Sequence, residues 1–145
     1  MKFMKGLEPL ALLALRVALA LIFLYHGYPK LAHPTEAMRT FFASHGFPSY
    51  ALGVVGIVEC FGALLLFLGL FTPGAGLALV IEMGVAIWKV HSGHGIMAVH
   101  DYEFPLAVAA GCFVLATVGA GLISVDNMVF GEDGKKRRSA RASKD

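Results

Sequence analysis

Residues 50–90 read YALGVVGIVECFGALLLFLGLFTPGAGLALVIEMGVAIWKV, and this stretch decides the fold. It contains two apolar runs, 50–71 and 74–90, separated by Thr72 and Pro73. A run of about 20 apolar residues is long enough to cross the hydrocarbon core of a bilayer as a helix. In lipid such a segment must satisfy its own backbone hydrogen bonds. The pattern therefore predicts two antiparallel transmembrane helices joined by a tight turn that contains Pro and Gly.

Two further apolar runs flank this hairpin, at 7–28 and 104–125. Of the 145 residues, 57% are hydrophobic and only 15% are charged, with a mean hydropathy of +0.71, whereas about a quarter of a soluble domain is charged. This composition excludes a disordered chain, a secreted disulfide scaffold and an ordinary cytosolic enzyme. We predict an all-α fold, an integral membrane four-helix bundle over residues 1–130, followed by a disordered basic tail over 131–145.

Basic residues predict the orientation of the bundle. Two of them precede the first span and six follow the last, whereas only Lys30, Arg39 and Lys89 flank the other ends of the spans. The positive-inside rule then places both termini in the cytoplasm. The net charge of +2 is weak and comes from the tail, so nucleic acid is not an expected partner. A short interfacial helix is expected over 34–42, in the first outer loop, with Met38 and two phenylalanines at the lipid boundary.

Three charged residues fall well inside the spans: Arg16, Glu59 and Glu82. Counting inward along each span puts them at similar depths. An ionised side chain at the bilayer centre costs about 2.5–3.5 kcal/mol on insertion scales, so the three are expected to face one another. We predict that Arg16 bridges the two carboxylates. Such a cluster can fix the register of the helices, or it can form a proton-linked or ligand-binding site.

Residues along the whole apolar chain resemble the DoxX family of small membrane proteins. The resemblance is carried by Arg16, Phe23, Gly27, Tyr28-Pro29 and Lys30, by Gly46-Phe47-Pro48, by Glu59, Gly62 and Gly69-Leu70, by Met83, Ala86 and His91, by Tyr102-Glu103, and by Gly121, Ser124 and Asp126. Two departures concern Ala20 and Ala63, where the family often has Gly, and Pro73, where a basic residue is common.

The resemblance implies a four-helix protein of the bacterial inner membrane that serves as a membrane subunit of an oxidoreductase. Relatives are linked to thiosulfate oxidation coupled to quinone and to complexes that handle thiols and oxidative stress. This link favours quinone or thiol redox chemistry. It does not assign a substrate, because one fold hosts many functions. It also implies a soluble or membrane-bound redox partner protein, and self-association into a homo-oligomer is compatible with it.

The outer ends of the spans carry the groups best suited to bind a ligand. Aromatic rings with a few converging polar groups can hold a quinone head group, although aromatic residues also form a belt at any membrane interface. All six histidines lie at or beyond this face. The ligand candidates are Phe23, His26, Gly27, Lys30, Trp88, His91, Tyr102 and Glu103.

The sequence supplies no electron carrier of its own. It has no C-x-x-C motif and no glycine-rich dinucleotide turn, and Cys60 and Cys112 lie inside apolar runs, which favours structural cysteines. His91, His94 and His100 are weak metal candidates, because their spacing fits no standard site. No metal is therefore predicted.

Three functions remain open at this point. The chain can be the membrane subunit of a quinone-linked or thiol-linked oxidoreductase that is not catalytic alone. It can be a small proton-coupled transporter, for which the intramembrane charges would be the coupling site. It can also be a membrane scaffold without redox activity.

Overall fold

The computed structural model describes residues 6–91, 93, 95 and 97–131. Within these residues every regular element is helical, which confirms the predicted all-α fold. Four helices are long and apolar enough to cross a membrane, so the chain is a multi-pass membrane protein that contacts the lipid bilayer. Apart from Gly131, the basic tail predicted over 131–145 lies outside the described residues.

The helices follow one another with short connections. In chain order they are α1 (Glu8–Ala32), α2 (Glu36–Ser44), α3 (Ala51–Leu68), α4 (Thr72–Ala86), α5 (Val99–Val118) and α6 (Val125–Phe130). A π-helical turn, Ile87–His91, extends α4. The short helix expected in the first loop is α2, and it begins where the Thr35 side chain accepts a hydrogen bond from the Met38 N–H, which satisfies one free amide of its first turn.

The last long helix ends earlier than the fourth apolar run. That run extends to residue 125, but α5 ends at Val118. Gly119 and Gly121 have φ angles of +88° and +78°, in the left-handed region that a residue inside an α-helix cannot adopt. The apolar residues that follow α5 therefore leave the helix and fold back toward the turn between α3 and α4.

Glycines bring the helices together as two close pairs. A Cβ atom on Gly27 of α1 would lie 2.7 Å from the Glu59 Cβ of α3, and one on Gly76 of α4 would lie 2.8 Å from the Cys112 carbonyl oxygen of α5. No larger residue fits at either point without displacing a neighbour. Small residues at helix crossings are how membrane helices gain van der Waals contact, so α1 pairs chiefly with α3, and α4 with α5.

The α3–α4 hairpin has a fixed axial register. A Cβ on Gly62 would lie 3.0 Å from the Leu79 side chain, so these two residues face each other. They are about equally far along the chain from the turn at 69–72. Three residues further from the turn, each helix has risen by the same distance, about 4.5 Å. Glu59 and Glu82 therefore lie at the same level of the hairpin.

The apolar core lies between the turn and the middle of the bundle. It consists of Leu12, Leu19, Ala20, Phe23, Ala63, Leu66, Ala75, Leu79, Val108, Cys112 and Leu115. Large apolar side chains such as Leu21, Phe61 and Ile81 point outward and are more than half exposed. Such a surface is stable where the surrounding medium is lipid. The core ends before the level at which Glu59 and Glu82 lie.

Candidate functional site

Arg16 lies at the turn end of the bundle and binds backbone carbonyls. Its Nε donates to the Leu66 carbonyl at 2.9 Å and its Nη2 to the Phe67 carbonyl at 3.2 Å. Its Nη1 donates to the carbonyls of Ala120 and Ile123 at 2.8 and 2.7 Å. The last carbonyls of a helix have no partner within the helix. The buried guanidinium therefore caps the end of α3 and ties it to the segment that follows α5.

The predicted bridge from Arg16 to the two carboxylates is wrong. Gly27 is the residue of α1 that faces Glu59, and Arg16 lies three turns away from it, about 16 Å along the helix axis. Helix side chains also lean toward the N-terminus of their helix, which carries the guanidinium still further from Glu59. Residues that are equally far from the ends of their spans therefore need not lie at the same level of the bundle. Here α1 is longer than α3 and extends beyond it.

Lys30 is the cation that pairs with Glu59. Its Nζ donates to Oε2 of Glu59, and both side chains are largely buried. Lys30 follows Gly27 by one turn, and its long side chain leans back toward the level where Glu59 lies. An ion pair removed from water keeps its strength because little solvent screens it. The pair thus joins the last turn of α1 to the middle of α3, well away from Arg16.

Glu82 completes the group of charges at this level. Both of its carboxyl oxygens are buried, and neither has a hydrogen-bond partner among the described residues. A buried polar group without a partner costs about 1–3 kcal/mol. Glu82 is therefore a polar side chain held within the bundle at an energetic cost.

A cavity of about 670 Å³ lies between the helices around these carboxyl groups. Its walls are mostly apolar and come from α1 to α5. Phe41 and Phe42 of α2, Phe47 of the following loop and Phe104 of α5 supply aromatic rings. Five polar side chains face the same space, namely those of His26, Lys30, Glu59, Glu82 and His91.

This arrangement can be compared with known proteins. The family model described as DoxX matches residues 11–92, which is more than half of the chain. The chain belongs to the DoxX family. The matched segment includes most of α1 and all of α2 to α4, and it supplies every polar side chain of the cavity.

Relatives of this DoxX protein cover nearly all of its length. It is 31% identical over 130 residues to "Putative oxidoreductase CatD" of Bacillus subtilis, covering 90% of this chain and 93% of the relative. It is 32% identical over 132 residues to an uncharacterized protein of Haemophilus influenzae, covering 85% and 93%. "Inner membrane protein YphA" of Escherichia coli is 29% identical over 127 residues, covering 82% and 90%. No solved structure matches the chain significantly.

Three of the eight ligand candidates line the cavity of the DoxX protein: His26, Lys30 and His91. The other five lie elsewhere. Phe23 is part of the core and Gly27 is at the helix crossing, Trp88 and Glu103 are exposed, and Tyr102 is half-buried outside the lining. Aromatic character at the end of a span therefore did not separate residues that face the cavity from those that face the surroundings.

Sequence reasoning missed that the two carboxylates belong to the same site as His26, Lys30 and His91. Glu59 and Glu82 were grouped with Arg16, whereas the structure places them with Lys30 and the histidines. One signal was available: Arg16 and Lys30 share a helix face, so either could have faced Glu59. The sequence does not choose between them, because it does not fix the axial offset between α1 and α3.

The metal and cysteine candidates do not converge in the described part of the chain. His100 is exposed and pairs with Asp101 at 2.8 Å, while His94 lies outside the described residues. No group of three metal-binding side chains forms among the residues described. Cys112 is buried in the core, and Cys60 is half-buried beside a shallow apolar groove between α1 and α3; both are free thiols.

Asp126 forms a second capping arrangement at the turn end of the DoxX protein. Its two carboxylate oxygens accept hydrogen bonds from the backbone N–H groups of Phe71 and Thr72, at 2.7 and 2.9 Å. These are free donors at the start of α4, where a negative charge is favourable. With Arg16 at the end of α3, the turn thus has a cation at the helix C-terminus and an anion at the helix N-terminus.

Proposed function

We propose that this DoxX protein is the membrane subunit of a quinone-linked or thiol-linked oxidoreductase complex and binds a lipophilic redox molecule in the cavity. The observation that carries the proposal is the cavity itself, with its apolar walls and five polar side chains. Ligand sites in proteins have this composition and a volume of about 300–1,000 Å³. The name of the Bacillus subtilis relative contains the word oxidoreductase, which supports the same class.

The residues present fit a quinone-type head group. The four phenylalanines offer flat apolar surfaces, and Lys30, His26, His91 and Glu82 offer polar contacts. A bound quinone would supply two-electron redox chemistry that also consumes protons. The protein's own groups would orient the head group, exclude water and hold protons at the carboxyl groups of Glu59 and Glu82.

The chain is proposed to act with a partner rather than alone. Both termini would be cytoplasmic in the bacterial inner membrane, so that the cavity lies toward the outer face. The partner protein, soluble or membrane-bound, would deliver or remove electrons there. Purification in mild detergent, followed by mass spectrometry of bound lipids and proteins, should recover this partner.

Thermal stability in detergent tests ligand binding directly. A molecule that binds only the folded state stabilises it by RT ln(1 + [L]/Kd), about 2.7 kcal/mol at 100 times Kd. Short-chain analogues of a quinone and of its hydroquinone should raise the melting temperature of the wild type. The effect of the more tightly bound form should be smaller in Lys30→Ala and His91→Ala. Glu103→Gln, an exposed position outside the lining, is the control. The absence of any shift with either form at saturation would contradict the proposal.

One observation favours a second function, proton-coupled transport. The carboxyl group of Glu82 has no partner among the described residues, and an ion pair lies beside it in the same cavity. Intramembrane ionisable groups of this kind often carry protons in transporters. Uptake driven by a pH gradient in proteoliposomes, lost in Glu82→Gln, would favour this function over the redox one.

A further inference from the structure

Each of the two histidines of the cavity already uses one ring nitrogen in a hydrogen bond. Nδ1 of His26 lies 2.9 Å from the Ile22 carbonyl oxygen, and Nδ1 of His91 lies 3.1 Å from that of Ala86. A carbonyl oxygen can only accept a hydrogen bond, so Nδ1 must carry the proton in each ring. The neutral imidazole then has only a lone pair at Nε2. Both rings therefore offer a hydrogen-bond acceptor to a ligand.

The carboxyl groups of the cavity differ in their availability. Glu59 is engaged by Lys30, and the same contact occupies the ammonium group. Glu82 has two buried oxygens without a partner in the described chain. A carboxyl group accepts a hydrogen bond in either protonation state, and it donates one only when protonated. The polar atoms left for a ligand are thus two imidazole acceptors and one carboxyl group that can always accept.

We propose that the cavity selects the reduced, diphenolic form of its ligand, a hydroquinone, over the corresponding quinone. Glu82 and the Nε2 atoms of His26 and His91 accept the hydroxyl hydrogens and determine this selectivity. The inference rests on the proposed function, because it specifies which redox form that same cavity binds.

The physical reason is the number of donors on each ligand. A hydroquinone carries two O–H donors, whereas a quinone carries only carbonyl acceptors. A quinone would meet lone pairs at both imidazoles. Its donors would be limited to a protonated Glu82 and to Lys30, which it could engage only by competing with Glu59. Sites that hydrogen-bond a ligand hydroxyl reject analogues lacking it, because buried polar groups are then left unpaired.

Three probes of nearly equal shape test the selectivity. They are a benzohydroquinone carrying a decyl chain, the corresponding benzoquinone, and the dimethyl ether of the hydroquinone, which has the same ring without O–H donors. Each is titrated anaerobically against the full chain in detergent, and Kd is obtained from the shift in melting temperature. We expect the hydroquinone to bind at least about tenfold more tightly than either of the others, equivalent to about 1.4 kcal/mol.

Variants identify the residue responsible. Glu82→Gln keeps an acceptor oxygen and supplies a donor that does not depend on protonation, so the quinone should gain affinity and the preference should fall several-fold. His91→Phe removes one acceptor while keeping a ring, so it should weaken hydroquinone binding and leave the ether unchanged. Glu36→Gln, in α2 and outside the cavity lining, should leave all three affinities as in the wild type.

The outcomes separate this inference from the function on which it rests. Equal affinities, or tighter binding of the quinone, would overturn the selectivity and leave a quinone site standing. If none of the three probes shifts the melting temperature at saturation, the proposed function fails together with the inference. An unchanged preference in both Glu82→Gln and His91→Phe would show that these residues do not determine it.

Discussion

The guanidinium group of Arg16 packs directly against the α-carbon of Gly69, where a Cβ atom would lie only 2.7 Å from the guanidinium carbon. Gly69 ends α3 with a φ of +66°, which glycine adopts without strain. The same conformation lets Arg16 reach the last carbonyls of the helix. One glycine thus provides both the turn of the backbone and the space for the cation that caps it.

Gly69→Ala should therefore destabilise the protein. The left-handed conformation costs a residue with a side chain about 1–2 kcal/mol, and the new methyl group would displace Arg16 from its carbonyls. We expect a loss of about 2 kcal/mol or more in the free energy of unfolding, measured as a lower melting temperature in detergent. Gly74→Ala is the matched control, since the described residues leave open space around a Cβ there. Equal melting temperatures for the two variants would contradict this role of Gly69.

Arg16→Met should destabilise the protein by about 3 kcal/mol or more. It leaves four carbonyl groups without their donor, and each buried unsatisfied group costs about 1–3 kcal/mol. The effect should be independent of Glu59, because residues that share no contact have additive effects within about 0.3–0.5 kcal/mol. The double variant Arg16→Met/Glu59→Gln measures this additivity. A large coupling energy would show that Arg16 and Glu59 interact, as the sequence predicted.

The Lys30–Glu59 pair should show the coupling that Arg16 lacks. Removing one partner of a buried ion pair costs about 3–5 kcal/mol because the other charge stays buried, and proton uptake by Glu59 would reduce this cost. We expect Lys30→Met to lower the stability markedly and Lys30→Met/Glu59→Leu to recover part of the loss. Lys89→Met, which removes an exposed cation, serves as the control. Strict additivity of the two single variants would exclude the pair.

Asp126→Ala should weaken the start of α4. It removes both acceptors for the Phe71 and Thr72 amides, and loss of a helix N-terminal cap costs about 0.5–2 kcal/mol. Asp126→Asn keeps one oxygen acceptor and should fall between the wild type and the alanine variant. Thermal melting gives the order of stability of the three proteins. If Asp126→Asn is as unstable as Asp126→Ala, the stabilisation comes from the charge of Asp126 and not from its hydrogen bonds.

The proposed orientation can be tested by cysteine labelling in intact cells. In a Cys60→Ala/Cys112→Ala background, an impermeant thiol reagent should label Ser44→Cys and Ser92→Cys but not Ser139→Cys. Opening the cells should make the last site reactive. Labelling of Ser139→Cys in intact cells would place the C-terminus outside and invert the proposed topology.

The sequence by itself determined the fold class. Backbone groups cannot remain unpaired in lipid, so four long apolar runs had to become helices, and a break close to Pro73 had to separate two of them. The order and spacing of many residues between Arg16 and Asp126 also carried the family resemblance. None of these inferences required knowing how one helix lies against another.

Only the tertiary structure decided which charge meets which. Helical periodicity assigns Arg16 and Lys30 to one face of α1, but it does not fix the axial offset between α1 and α3. That offset is set by contact between Gly27 and Glu59, a matter of packing between distant residues. With it, Lys30 rather than Arg16 reaches the carboxylate, and Arg16 caps α3. Side chains from five helices form the cavity in the same way, because its shape depends on the relative positions of helices that the sequence describes only one at a time.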